Sequence, residues 1–175
     1  MNLSENHKEA ISVYIRAKDD NKPHLMKGIF ENSASLSMKV KSDTISFPSE
    51  TQGLDSITNV LVSDFNKKYE NVYTFCMTDS VISDEKQTLC KWAVVMTDKE
   101  KSSVRVGYGD YKWVFNKGMT KQLTILIEEM IALEELQSEE IFSWVDKKNY
   151  PWCDSDDFLK GAPKSISFLA NDLTS

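Results

Sequence analysis

The sequence predicts an α+β fold in which helices cover one face of an antiparallel sheet, and three observations carry that expectation. Apolar residues recur at helical spacing early in the chain, four long β-type runs follow one another in its middle, and the separators between those runs are too short for crossover helices. Size and composition agree. With 175 residues, 41% hydrophobic and 27% charged, the chain has the make-up of one ordinary globular unit, able to bury about two-thirds of its unfolded surface.

The elements follow in order. Leu3, His7, Ala10, Ile11, Tyr14 and Ile15 share a face at three- and four-residue steps, which predicts a helix over 4–19 with Ser4 as its N-cap. The polar string Asp19-Asp20-Asn21 stops it. Pro23 suits the first turn of a second short helix, whose Leu25, Met26, Ile29 and Phe30 again share a face. Between Ala34 and Val40 the period changes to two, with Leu36, Met38 and Val40 alternating against Ser35, Ser37 and Lys39, which predicts a half-buried strand. A return segment carrying Ile45 and Phe47 and a loop over 48–53 come next. A third helix is marked by Leu54, Ile57, Leu61 and Phe65 and ends near Tyr69.

From Val72 onward the runs NVYTFCMTDSVI, QTLCKWAVVMT, SSVRVGYGDYKWVFN and MTKQLTILIEEM are rich in Val, Ile, Thr and aromatics and predict a meander of antiparallel hairpins. A last helix is expected over 138–148, with Ser138 as cap, Glu139 and Glu140 at its positive end and Lys147-Lys148 at its negative end. Pro151 prevents its continuation. One domain is therefore expected over 1–150, followed by a tail over 151–175 that docks or frays, with an apolar cluster at Ile166, Phe168 and Leu169.

Charge and motifs exclude several function classes. A net charge of -6 opposes binding to phosphate backbones, and the basic pairs at Lys67-Lys68, Lys99 with Lys101, and Lys147-Lys148 lie apart, so nucleic acid is not an expected partner. The opening MNLSENHKEA lacks the basic-then-apolar order of a secretory signal, and no apolar run approaches the roughly 20 residues of a membrane helix. Cys76, Cys90 and Cys153 have no metal-type spacing and read as reduced thiols of a cytoplasmic protein. Gly-rich phosphate loops, a Gly-x-Ser-x-Gly elbow and paired-His motifs are absent, so neither a cofactor nor a metal is expected. His7, in the exposed opening of the first helix, and His24, at the start of the second, read as surface or capping residues.

The order of elements, the segment IFENSASLSM and the pair GYGDYKWVFNKGMTKQLTILI resemble the nuclear-transport-factor-2-like superfamily, in its SnoaL-like branch, over about residues 4–130. The ending MIALEELQSEEIFSWVDKKNYPWC looks like a tail carried by some SnoaL-like bacterial proteins. The resemblance implies a cone-shaped curled sheet wrapped around helices, with a pocket between its concave face and the helices. It also implies a candidate site. Tyr14 is similar to the helix tyrosine of the steroid isomerases of this superfamily and Asp110 to their strand acid, which together hold a dienolate oxygen. Where those enzymes place a general base this chain has Met38, and Asp43 lies further on in a turn. Without a base, enolisation lacks its first step. An aromatic residue at helical spacing is also what a plain core requires, so the reading of Tyr14 stays open.

Strand alternation puts Val106, Tyr108, Asp110, Lys112 and Val114 on one face and Arg105, Tyr111, Trp113 and Phe115 on the other. With the pocket on the Asp110 side, its expected lining is Tyr14, Met38, Cys90, Trp92, Tyr108 and Asp110. The opposite face then leaves three large aromatics to cover, and a homodimer through Arg105, Tyr111, Trp113 and Phe115 is the expected cover. The rival cover is the tail, with Trp152 or Phe168 against Trp113. Leu89, Ala93 and Val95 make the neighbouring run apolar on both faces, which a sheet with one solvated face does not explain. The expected function is a pocket for a small, mostly apolar molecule, serving binding or isomerase-, cyclase- or dehydratase-like chemistry. The alternative is a non-catalytic protein-interaction module on the same fold.

Overall fold

In the computed structural model, which describes residues 3–174 and the side chains of residues 5–174, helix α1 spans Leu3–Asp19. The expected packing of Leu3 and cap at Ser4 lie outside the described side chains. The predicted stripe of His7, Ala10, Ile11, Tyr14 and Ile15 is buried. Asn21, at φ 54, ends the helix in the left-handed region, and the Lys22 amide donates back to the Ala17 carbonyl at 2.8 Å.

Residues Pro23–Gly28 form a single 3-10 turn rather than a second α-helix. Met26 faces the core from this turn, while Phe30 already begins strand β1, Phe30–Val40. The return segment at Ile45 and Phe47 is not a strand. The chain arcs over 41–49 and pairs with β1 only at β2, Glu50–Gln52, inside the span expected to be loop. The third predicted helix is present as α2, Leu54–Thr58, a π-helical turn, Asn59–Ser63, and α3, Asp64–Lys68. The wider turn shifts the buried stripe, so that both Leu61 and Val62 point inward.

The four long runs become β3, Tyr69–Met77, β5, Gln87–Asp98, β6, Val104–Asn116, and β7, Met119–Leu133, with a short β4, Ile82–Ser83, beside β5. They pair antiparallel in sequence order, as the short separators require. The first strand, β1, closes onto β7 in parallel. With β8, Trp152–Cys153, the order is β2-β1-β7-β6-β5-β3-β8 in one mixed sheet. Register shifts at Tyr108/Gly109 and Val114/Phe115 between β6 and β7 bend the sheet into a curl that is not closed.

The two faces of this sheet carry two cores. On the inner face Cys90, Trp92, Val94, Tyr111, Trp113 and Phe115 pack with Tyr14 and Ile11 of α1. On the outer face Phe75, Ala93, Val95, Val106 and Tyr108 pack under the C-terminal segment. That segment comprises α4, Ser138–Val145, α5, Ser155–Leu159, and α6, Leu169–Leu173. Helix α4 is shorter than expected, and Ser138 is its first helical residue rather than its cap: a 3-10 turn, Glu135–Gln137, runs into it, so Gln137 at the cap position is already αR. Polar anchors hold the tail. The Trp144 Nε1 donates to the Phe158 carbonyl at 3.0 Å, Lys91 Nζ to the Asp172 carbonyl at 2.6 Å, and the Tyr108 hydroxyl to Asp172 Oδ2 at 2.5 Å.

This arrangement corrects the expected interface. Arg105, Tyr111, Trp113 and Phe115 are all buried within one chain, so they form no outward patch for a second copy. The tail covers the opposite face, where Phe168 meets Tyr108 at a ring distance of 6.0 Å instead of reaching Trp113. Trp152 packs against the inner core and donates to Ser12 Oγ at 2.8 Å. The two-sided apolarity of β5 is thereby explained: Ala93 and Val95 belong to the second core. Among the described residues no helix is long and apolar enough to cross a membrane. All three cysteines are free and buried.

His24 is exposed as expected, but His7 is buried. Its ring stacks on Phe115 at 4.0 Å, and Nδ1 lies 2.8 Å from Thr88 Oγ1, which in turn contacts Ser83 Oγ. Burial pushes the imidazole below its ordinary value of 6.5, partly opposed by nearby Asp84. A depressed pKa means that the unfolded chain binds this proton more readily than the folded one. Stability is then expected to be full above the unfolded value and to fall as pH drops below it, through the folded pKa. Urea midpoints measured from pH 8 to pH 5 check this. The fall between about pH 6.5 and 5 should be shallower in His7→Gln, and an identical profile would remove His7 from the account.

Candidate functional site

Helix α1 is the inner wall of a cavity whose opposite wall is the concave sheet face. Tyr14 and, one helical turn on, Lys18 come from α1, Thr74 from β3, Trp92 from β5 and Tyr111 from β6. The remaining lining is apolar. It includes Met38, Leu61, Phe65, Val94 and Ile125, while Ile45 and Phe47 reach it from the irregular segment 41–49. The unfilled space is about 40 Å³. That is room for a few waters, and well short of the ~150 Å³ of engineered apolar cavities that admit benzene. A larger guest must displace part of the lining, and the segment carrying Ile45 and Phe47 is the part not held in a helix or strand.

Polar groups converge at the α1 side. Tyr14 and Tyr111 meet edge to face with ring centroids 6.0 Å apart, and burial drives both phenols well above their ordinary value, so both stay neutral. Lys18 Nζ donates to Asp19 Oδ1 at 2.8 Å and to Thr74 Oγ1 at 2.6 Å and sits 4.8 Å above the Phe65 ring. Asp19 in turn accepts from the Thr74 amide at 2.7 Å and the Tyr150 hydroxyl at 2.6 Å. The buried charge is therefore paired and its partner saturated, as a buried ion pair requires. Trp92 Nε1 differs: it is buried and has no hydrogen-bond partner. An orphaned buried donor costs free energy unless something accepts from it.

Of the six residues expected to line the pocket, Tyr14, Met38 and Trp92 do so. Cys90 lies on the same inner face, buried beside Cys76, but outside the lining. Tyr108 and Asp110 are on the outer face: Tyr108 is under the tail, and Asp110 is exposed and registered opposite Lys91. Partial burial raises the Asp110 carboxyl, with Lys91 opposing. Tyr14 and Asp110 are therefore separated by the sheet itself and cannot bind one ligand atom. Alternation puts Tyr111 and Asp110 on opposite faces, as expected, and the cavity lies on the Tyr111 side; nothing local distinguishes the face that α1 covers from the face that the tail covers. Met38 occupies the wall where the isomerase base was sought. Asp43 is exposed on segment 41–49.

Tyr111, Lys18 and Thr74 were not expected in the site. Lys18 had a legible signal, since it lies four residues after Tyr14 on the buried side of α1. Thr74 had none, because a threonine is ordinary in any strand.

The chain matches no protein-family model and no curated protein by sequence. Solved structures do match. One is an NTF2-like protein from Burkholderia xenovorans LB400, with TM-score 0.57 and 7% identity, covering 71% of this chain and 90% of that one. The fold is nuclear-transport-factor-2-like. A hexachlorocyclohexane dehydrochlorinase (type 2) is similar at TM-score 0.58 and 9% identity over 74% of this chain and 88% of its own. A computationally designed 17-OHP binder matches at TM-score 0.52 and 10% identity, covering 66% and 88%.

Proposed function

We propose that this NTF2-like chain binds a small, mostly apolar molecule that carries one hydrogen-bond acceptor, in the cavity between α1 and the inner sheet face. The observation that supports it is Trp92 Nε1, an unpartnered buried donor on a ring that lines an apolar cavity with two neutral phenols and a lysine at one side. A carbonyl oxygen suits that donor set. No carboxylate or imidazole is among the lining residues, and the Lys18 amine is already engaged by Asp19 and Thr74, so the cavity offers little support for a proton-abstraction step of the isomerase, cyclase or dehydratase kind. Binding is the reading that the geometry favours. The alternative of a protein-interaction surface draws less support, because the tail covers the outer face and the exposed large apolar residues among those described, Ile82, Leu136 and Tyr150, sit on three separate segments.

A thermal-shift screen of small alicyclic and aromatic ketones against their parent hydrocarbons tests this. At a hundred times Kd, a ligand adds about 2.7 kcal/mol of stability, or roughly 5–10 °C in a domain of this size. Ketones are expected to shift the wild type, the hydrocarbons less, and neither to shift Val94→Phe, which fills the cavity. Shifts that persist in Val94→Phe would place the binding elsewhere.

A further inference from the structure

A second hollow, of about 450 Å³, lies where the C-terminal segment meets the sheet, apart from the cavity above. Its walls are aromatic: Tyr73 from β3, Phe142 from α4 and Tyr150 from the segment that follows. The rings are tilted against one another rather than stacked. Tyr73 and Tyr150 meet at 78° with centroids 5.9 Å apart, and Tyr73 and Phe142 at 52° and 6.1 Å. Rings set at these angles form a corner rather than a flat stack, all three line the one hollow, and the face of an aromatic ring is its negative side.

Carboxylates complete the hollow. The Tyr73 hydroxyl donates to Asp146 Oδ1 at 2.9 Å and the Tyr150 hydroxyl to Asp19 Oδ2 at 2.6 Å. A phenol that donates to a carboxylate becomes richer in electron density, which strengthens the attraction of its ring for a cation. Asp19 is balanced by Lys18, but among the described residues neither Asp20 nor Asp146 is paired with a lysine or arginine. Helices α1 and α4 also both end here, at Asp19 and Val145, so the negative ends of two helix dipoles add to the same potential. The carboxylates are spread around the hollow. Among the described residues no three His, Cys, Asp or Glu side chains come together as metal ligands, which favours a bulky, weakly hydrated cation over a metal ion.

We propose that this corner binds a small organic ammonium ion, with its alkyl groups against Tyr73, Tyr150 and Phe142 and its charge offset by Asp20 and Asp146. The site uses side chains from both the sheet and the C-terminal segment, so it exists only while that segment is docked. It is a separate hollow from the cavity proposed above, linked to it through Asp19, which pairs with Lys18 and accepts from Tyr150.

Choline and the isosteric alcohol in which carbon replaces the quaternary nitrogen are the probes, titrated calorimetrically into the full chain. Choline is expected to bind at least tenfold more tightly than the alcohol. Asp20→Asn, at an exposed and unpaired position that leaves folding intact, should weaken choline several-fold and leave the alcohol unchanged. Tyr150→Leu should weaken choline tenfold or more, and Val94→Phe, which fills the other cavity, should leave it as it is. Equal affinity for the two probes, no heat at ~10 mM of either, or loss of choline binding in Val94→Phe would each overturn the assignment.

Discussion

Gly109→Ala is expected to lose about 4 kcal/mol or more of stability, or to fail to fold, although it adds a single methyl group. A Cβ at this position would sit 1.8 Å from the Leu126 carbonyl oxygen and 2.9 Å from Trp92 Cζ2. The first of these atoms is backbone of the paired strand and cannot rotate away. Gly109 lies at the register shift between β6 and β7, where the sheet bends, so relief of the clash requires opening the ladder that joins the two longest strands. The same close approach lets the Trp92 ring lie over the strand beside the cavity. Gly28→Ala is the control: nothing lies within 4 Å of its Cβ, and it should change stability by no more than about 0.5 kcal/mol. Urea denaturation of both variants measures the contrast. A loss at Gly109 no larger than that at Gly28 would show that the bend tolerates a side chain.

Phe158→Ala is expected to cost about 3–5 kcal/mol, as large as a truncation in the middle of a core, even though the residue lies in the tail. Its ring is fully buried between Phe75 of β3, at 4.9 Å, and Trp144 of α4, at 4.8 Å. Its carbonyl also receives the Trp144 indole proton, so loosening α5 leaves a buried donor without its acceptor. Removal of residues 151–175 is expected to do more, because the outer apolar face of Phe75, Ala93, Val95 and Val106 would keep only α4 as cover and lose α5 and α6. Light scattering of the shortened chain should show self-association that rises with concentration. A loss below about 1 kcal/mol in Phe158→Ala would mean that the second core contributes little.

These two sites mark where reading the sequence succeeds and where it stops. The helix spanning Leu3–Asp19 and the four long strands were legible because a helical or alternating apolar period repeats several times within each. The antiparallel pairing of β5, β6 and β7 followed from separators only a few residues long, since a short connection can make only a hairpin. Weaker signals failed. Residues Pro23–Gly28 and Glu50–Gln52 are too short to show a period, so the sequence predicts an α-helix for the first and a loop for the second, where the structure has a 3-10 helix and a strand.

The candidate site divides in the same way. Tyr14, Met38 and Trp92 line the cavity, and each sits on a periodic element whose buried side is legible locally. Asp110 and Tyr108 lie on the outer face instead, because alternation states which residues share a face and is silent on what covers it. Both faces of β5 and β6 are apolar, and two different parts of the chain, α1 and the segment after β7, each cover one of them. The choice between those covers is made by contacts between residues far apart in sequence, such as Tyr14 with Trp113 and Tyr108 with Asp172. Local periods and short separators therefore specified the long elements and the pairing of β5, β6 and β7, whereas the side that holds the cavity depends on packing free energy summed over the whole chain.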